Sequence, residues 1–128
     1  MANSGQHIYI TTNNGVCRIK MAGEADIDFV NAFSKTALEI EASRERLTLV
    51  VDLADVTYID SASLGIFVRL IKIYQKKKKR IILFKPRPSI EELFNLTGLS
   101  RFLTICMSEA DLDVAIAGQP KKKKKKAL

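Results

Sequence analysis

The hydrophobic positions of this chain change period several times, and each change marks an element. His7 to Thr12 alternates, with Ile8 and Ile10 on one face, and Asn13-Asn14-Gly15 supplies residues that tolerate positive φ in a tight hairpin turn. Val16 to Met21 returns as the partner strand, with Cys17, Ile19 and Met21 facing one way and Arg18 and Lys20 the other. Gly23-Glu24-Ala25-Asp26 breaks the alternation. A helix is expected to start at Asp26 or Asp28, since either carboxylate can accept the unpaired amide hydrogens of a first turn. Phe29, Phe33, Ala37 and Ile40 then recur at helical spacing, an apolar stripe suited to packing on a sheet.

Leu47 to Val51 is an apolar run rich in the residues that buried strands use, and Asp52 is expected to end it. Leu53 to Ile59 reads as an irregular connection. Asp60-Ser61 then precedes a long periodic segment expected to reach about Lys79. Leu64, Phe67, Val68, Ile71 and Tyr74 mark one face, and Ile66, Leu70 and Ile73 widen it past half the girth. Deep burial explains that width, and a partner covering part of the helix is the alternative. Ile81 to Phe84 is a further strand, stopped by Pro86 and Pro88. Ser89 and Glu92 have capping-box spacing ahead of a short helix that Gly98 terminates. Leu103 to Met107 is the last strand, and Ser108 opens a helix ended by Gly118 and Pro120. The order β-β-α-β-α-β-α-β-α defines an α/β fold: a mixed, mostly parallel sheet of four to five strands with an antiparallel N-terminal hairpin, packed against about four helices.

Composition adds limits. With 128 residues, 47% hydrophobic and 27% charged, the chain has the make-up of one globular domain, expected over residues 1–118. The net charge of +7 is located chiefly in Lys121–Lys126, which carries six of the charges and leaves the rest near neutral. Residues 119–128 are expected to form a disordered lysine-rich tail. A second run, Lys76 to Arg80, complements a helix C-terminus and lacks interleaved aromatics, so direct nucleic-acid binding is not expected. No apolar run approaches the roughly 20 residues of a membrane helix, so insertion is not expected either. Met1 to Gln6 lacks signal-peptide blocks, which points to a cytoplasmic address. Small size and a near-neutral folded part fit a monomer.

Catalytic readings find little support. Cys17 and Cys106 read as buried apolar residues, and His7 is the single histidine, so neither a metal site nor a histidine triad is expected. Nucleotide-binding glycine motifs and the G-x-S-x-G elbow are lacking, and no cofactor is expected. Asp26, Asp52, Asp55 and Asp60 are spread over three polar junctions, with Asp52 and Asp55 read as caps or turn residues. Ser61 lies at a strand-to-helix junction, either as a plain cap or as a functional hydroxyl. Phosphorylation there would add nearly two negative charges at a helix N-terminus, which tolerates them, while a partner docked on the same surface would be repelled.

The stretch VVDLADVTYIDSASLG, Val50 to Gly65, resembles the central motif of STAS domains, specifically those of bacterial anti-sigma factor antagonists. GEAD at Gly23 to Asp26 resembles the G-E-L-D element of that family, and LTGLSRFLTI at Leu96 to Ile105 resembles its late helix-to-strand segment. The resemblance covers roughly Ile8 to Ala117. It implies a non-enzymatic, partner-switching protein with a STAS-like domain over residues 1–118. Such an antagonist binds an anti-sigma factor with serine kinase activity and thereby frees the sigma factor. The kinase phosphorylates the serine after the motif aspartate, and a serine phosphatase restores it. By position the acceptor is Ser61, Asp60 is the motif acid, and Asp26 is the second acid expected nearby. The usual pattern is D-S-S-G-L-G. Here Ala62 replaces the second serine and Ser63 the first glycine, which makes Ser63 a secondary acceptor candidate. Ala62, Ser63, Leu64 and Gly65 complete the expected partner surface. The alternative within the same family is a regulatory module of a lipid or anion transport assembly or of a chemoreceptor-linked pathway.

Overall fold

The computed structural model describes residues 5–101 and 103–118. The expected disordered tail, residues 119–128, lies outside the described residues. The elements are β1 (His7–Asn13), β2 (Val16–Ala25), α1 (Ile27–Ala42), β3 (Thr48–Ile59), α2 (Ser61–Lys76), β4 (Ile81–Phe84), α3 (Pro88–Leu96), β5 (Thr104–Cys106) and α4 (Glu109–Ala117), with one 3-10 turn over Leu99–Arg101. The sheet has five strands in sequential order, β1 antiparallel to β2 and the others parallel. Asn14 (φ 51°) and Gly15 (φ 79°) both take the left-handed conformation between Asn13 and Val16, the arrangement that matches the twist of a two-residue hairpin.

Two cores flank the sheet. The larger holds Cys17, Ile19 and Met21 of β2, Leu49, Val51 and Leu53 of β3, and the inner faces of α1, α2 and α3. Phe33, Phe67 and Phe94, one from each of these helices, join in series, with ring centroids 5.2 Å and 5.7 Å apart. Tyr74 Oη donates to the Ala37 carbonyl at 2.6 Å and ties α2 to α1. Burial alone explains much of the broad apolar girth of α2: Ile66, Phe67, Leu70, Ile71 and Tyr74 are all inside. The smaller core, on the opposite face, packs Val50, Ile82, Phe84 and Cys106 against Leu112 of α4. Both cysteines are buried free thiols.

Several expectations are corrected. Asp52 does not end the central strand, because β3 runs unbroken from Thr48 to Ile59 and includes the segment expected to be irregular. The Asp52 carboxylate is matched by Arg18 of β2, so a polar residue is accommodated in mid-strand. β2 likewise continues through Gly23 to Ala25, its register against β3 shifting between Lys20 and Ala22 and again between Gly23 and Glu24. α2 ends at Lys76 rather than Lys79, since Lys78 adopts φ 58° and the chain turns back into β4. The capping box does not form: Pro88 takes the first helical position, where its fixed φ fits and its missing N–H costs nothing, and Arg87 precedes it as a cap without a side-chain bond. Ile10, placed on one face with Ile8, is 50% exposed.

Candidate functional site

The parallel pairing of β2 with β3 builds the site. Ala25 pairs with Ile59 at the ends of the two strands, whose backbones run about 4.8 Å apart. The next residues are Asp26 and Asp60, and each caps the helix that follows it. Their backbones are nearly the same, φ −82° and ψ 176° at Asp26 and φ −83° and ψ 171° at Asp60. Asp26 Oδ1 accepts from the Phe29 N–H at 3.0 Å, and Asp60 Oδ1 accepts from the Ser63 N–H at 2.8 Å. Two aspartate-capped helix N-termini therefore stand side by side, one strand spacing apart.

The N-terminal segment closes over this edge. Gln6 Nε2 donates to Asp26 Oδ2 at 3.1 Å and to the Glu24 carbonyl at 2.9 Å. Gly23 (φ +104°) makes the crossing feasible, since a Cβ there would lie 2.6 Å from the Gly5 carbonyl oxygen. The glycine of the GEAD element thus serves a close backbone approach.

Ser61 is the first residue of α2 and is exposed, as are Ala62 and Gly65, while Leu64 is half-buried. Capping falls to Asp60, so the start of the helix does not depend on the Ser61 hydroxyl. Ser63 is different. It is 0% exposed, and its Oγ is buried without a hydrogen-bond partner. The Asp60 carboxyl is held below its ordinary range chiefly by the Ser63 N–H. The nearby Ser63 hydroxyl adds to this, although its geometry falls short of a formed hydrogen bond. Asp60 is therefore an anion at neutral pH, immediately beside Ser61.

Asp52 and Asp55 are not brought to this edge. Both lie within β3 and not at caps or turns: Asp52 pairs with Arg18 at 2.9 Å and Asp55 with Lys20 at 3.0 Å. Ion pairing between neighbouring strands, invisible to a local reading, sets their role. Sequence reasoning also missed two exposed apolar residues at the site end, Ile27 (44%) at the start of α1 and Tyr58 (55%) near the end of β3. The available signal was that Ile27 falls off the Phe29–Phe33–Ala37 stripe. Together with Ala62 they give the acidic edge an apolar rim.

A sequential five-stranded sheet with an antiparallel edge hairpin, and helices launched from the ends of its parallel strands, is the architecture of a STAS domain. The STAS domain family model matches residues 7–112, and the chain belongs to that family. It is 34% identical over 95 residues to the anti-sigma-B factor antagonist of Listeria monocytogenes, an alignment spanning 74% of this chain and 82% of the relative. An anti-sigma factor antagonist from Mycobacterium paratuberculosis superposes with a TM-score of 0.73 at 20% identity, covering 88% of this chain and 96% of the other. The Bacillus cell fate determinant SpoIIAA in its phosphorylated form gives 0.69 at 17% identity, covering 85% and 99%. At these identities the two structures establish a shared fold.

Proposed function

We propose that this chain is an anti-sigma factor antagonist that works by partner switching. Unmodified, it binds an anti-sigma factor with serine kinase activity through the surface around Ser61, acting as a cytoplasmic monomer. Phosphorylation of Ser61 dissolves that complex, and a serine phosphatase restores it. The observation that carries the reading is the division of labour at the start of α2: Ser61 is exposed, Asp60 does the capping, and Ser63 is buried. A kinase can reach Ser61 without unfolding the helix, whereas Ser63 is shielded. The Listeria monocytogenes relative is named an anti-sigma-B factor antagonist, which supports the antagonist part of the reading.

The energetics agree. A phosphate on Ser61 adds about −1.5 to −2 charges beside the ionised Asp60, with Asp26 at the neighbouring helix start. The positive ends of α1 and α2 soften that repulsion inside the chain, so the fold survives. A partner docked on the same edge meets the added charge and bulk directly. Gly65 supports a close approach from outside. It sits in the second turn of α2, where glycine weakens a helix by about 1 kcal/mol relative to alanine. Among the described residues a Cβ there would point into open space, so no tertiary contact requires glycine.

The test is phosphorylation of the purified chain by its cognate kinase with ATP. One phosphate is expected, absent from Ser61→Ala, and Ser61→Asp should stay folded yet bind the kinase at least about tenfold more weakly. Retained phosphorylation in Ser61→Ala, or parental affinity in Ser61→Asp, overturns the mechanism.

A further inference from the structure

Helix α2 gives one face to the core and leaves the other as a continuous ridge. Ser63, Ile66, Phe67, Leu70, Ile71 and Tyr74 are buried. Ser61, Ala62, Gly65, Arg69, Lys72 and Lys76 are exposed, at the three- and four-residue spacings that align side chains in one helical row. At 1.5 Å per residue that row is about 22 Å long. Its chemistry changes halfway. Ser61, Ala62 and Gly65 offer nothing larger than a hydroxymethyl group, and a Cβ added at Gly65 would stand in open space among the described residues. Arg69, Lys72 and Lys76 then supply cations, and α2 contains no acid.

Among the described residues, no carboxylate lies within ion-pair distance of Arg69, Lys72 or Lys76. Glu41 of the neighbouring α1 is buried and faces Lys77 instead, at 3.9 Å. Glu39, although exposed on α1, is not a partner of the ridge cations. The other end of the ridge has the opposite sign. Asp60 caps it, Asp26 caps the adjoining helix one strand spacing away, and Asp28 is exposed in the first turn of α1. The ridge is therefore negative at its head, slim and uncharged over Ala62 and Gly65, and positive over its second half.

We propose that this ridge is the docking line for a helix of the anti-sigma factor that runs antiparallel to α2 and carries aspartate or glutamate in its first turns. The identity of the partner rests on the function proposed above, and the ridge supplies the chemistry that would recognise it. Ala62 and Gly65 let a second backbone come as close as the short end of the usual interaxial distance, about 8–10 Å. Arg69 and Lys72 follow three residues apart, a spacing that carboxylates on the partner helix can match. Acids are most favourable in the first turn of a helix, and antiparallel docking brings that turn to the cationic half. The partner's C-terminal end then lies at Ser61, so a phosphate there meets the negative end of its dipole. Nucleic acid or an anionic bilayer fits this line less well. Either is negative throughout, gaining at Arg69 and Lys72 but repelled at Asp26, Asp28 and Asp60. The opposed signs select a partner whose acids are confined to one half of the contact.

The experiment is calorimetric titration of the anti-sigma factor into the full chain carrying Ser61→Ala, which removes the phosphoacceptor and leaves the ridge intact. Adding Arg69→Gln/Lys72→Gln should weaken binding at least about tenfold and flatten its salt dependence. Arg69→Lys/Lys72→Arg, which keeps both charges, should bind nearly as the parent does, and so should Arg44→Gln, off the ridge before β3. These side chains are exposed, so the unfolding midpoints should stay near that of the parent. A carbodiimide, which joins an ammonium to a carboxylate, should link Lys72 to an acid in the first turns of a helix of the anti-sigma factor. Parental affinity in Arg69→Gln/Lys72→Gln, a Lys72 cross-link that is absent or falls outside a helix, or binding of duplex DNA or anionic vesicles that the same two substitutions abolish overturns the proposal. Ridge-dependent binding without phosphorylation of Ser61 in the parent strikes the switch and leaves the docking line standing. No binding at all overturns both.

Discussion

Arg18→Leu should be among the most damaging single substitutions outside the aromatic core. Arg18 Nη2 lies 2.9 Å from both Asp52 Oδ2 and Glu109 Oε2, and its guanidinium carbon sits 4.5 Å above the Phe84 ring. The arginine therefore joins β2, β3, β4 and α4. Hydrogen bonding to Glu109, set against partial burial and followed by the contributions of Asp52, raises its pKa further and keeps it charged. Leucine retains the apolar stem and removes the charge, leaving the Asp52 side chain, only 5% exposed, without a counter-ion. Removing one partner of a buried pair costs about 3–5 kcal/mol. Arg18 is itself 28% exposed, and Asp52 Oδ1 keeps its bond from the Ala54 N–H at 3.1 Å. Those two facts lower the expectation to about 2–3 kcal/mol. Glu109, 63% exposed, adds little to that figure. With a urea slope of roughly 1–3 kcal/mol per molar, the unfolding midpoint should fall by about 0.7–3 M. Adding Asp52→Asn removes the orphaned charge and should recover a large part of the loss. A single variant that unfolds at the parental midpoint, or a double variant no more stable than the single, refutes the reasoning.

Three further outcomes follow from particular contacts. Gly65→Ala should stabilise the free domain by about 1 kcal/mol in thermal unfolding while weakening the kinase complex, because the new methyl group would stand in open space among the described residues. Gly23→Ala should cost more than about 1 kcal/mol in urea unfolding, since it sets a Cβ 2.6 Å from the Gly5 carbonyl at a φ of +104°. Tyr74→Phe loses the 2.6 Å bond to Ala37 and should cost about 1 kcal/mol near neutral pH. Burial pushes the Tyr74 phenol well above its ordinary range, so its contribution is complete below the unfolded value of about 10 and is lost as the pH rises beyond it. Unfolding midpoints at about pH 9 and 11 should accordingly fall further in the parent than in Tyr74→Phe.

The parallel topology gives the two ends of the sheet different character. Helices that begin at one end place their N-termini, their aspartate caps and Ser61 there. Their C-termini, where lysine and arginine complement the dipole, collect at the other.

Features governed by contacts within a few residues were legible in the chain itself. The Asn14-Gly15 turn, the inward set Cys17, Ile19 and Met21, the Ser108 cap and the order of strands and helices all follow from local sterics and periodicity. Motif resemblance added the family and pointed to Ser61. The tertiary structure decided what depends on residues far apart. Asp52 looked like the end of a strand until Arg18, 34 residues earlier in the chain, supplied its counter-charge across the sheet. Asp26 and Asp60 became neighbours only through the register of β2 against β3. The two serines of α2 are two residues apart and chemically alike, yet helix packing turns Ser63 into the core and Ser61 out of it. Local rules set which elements form, and long-range pairing and packing set which side chains meet and which remain within reach of a partner.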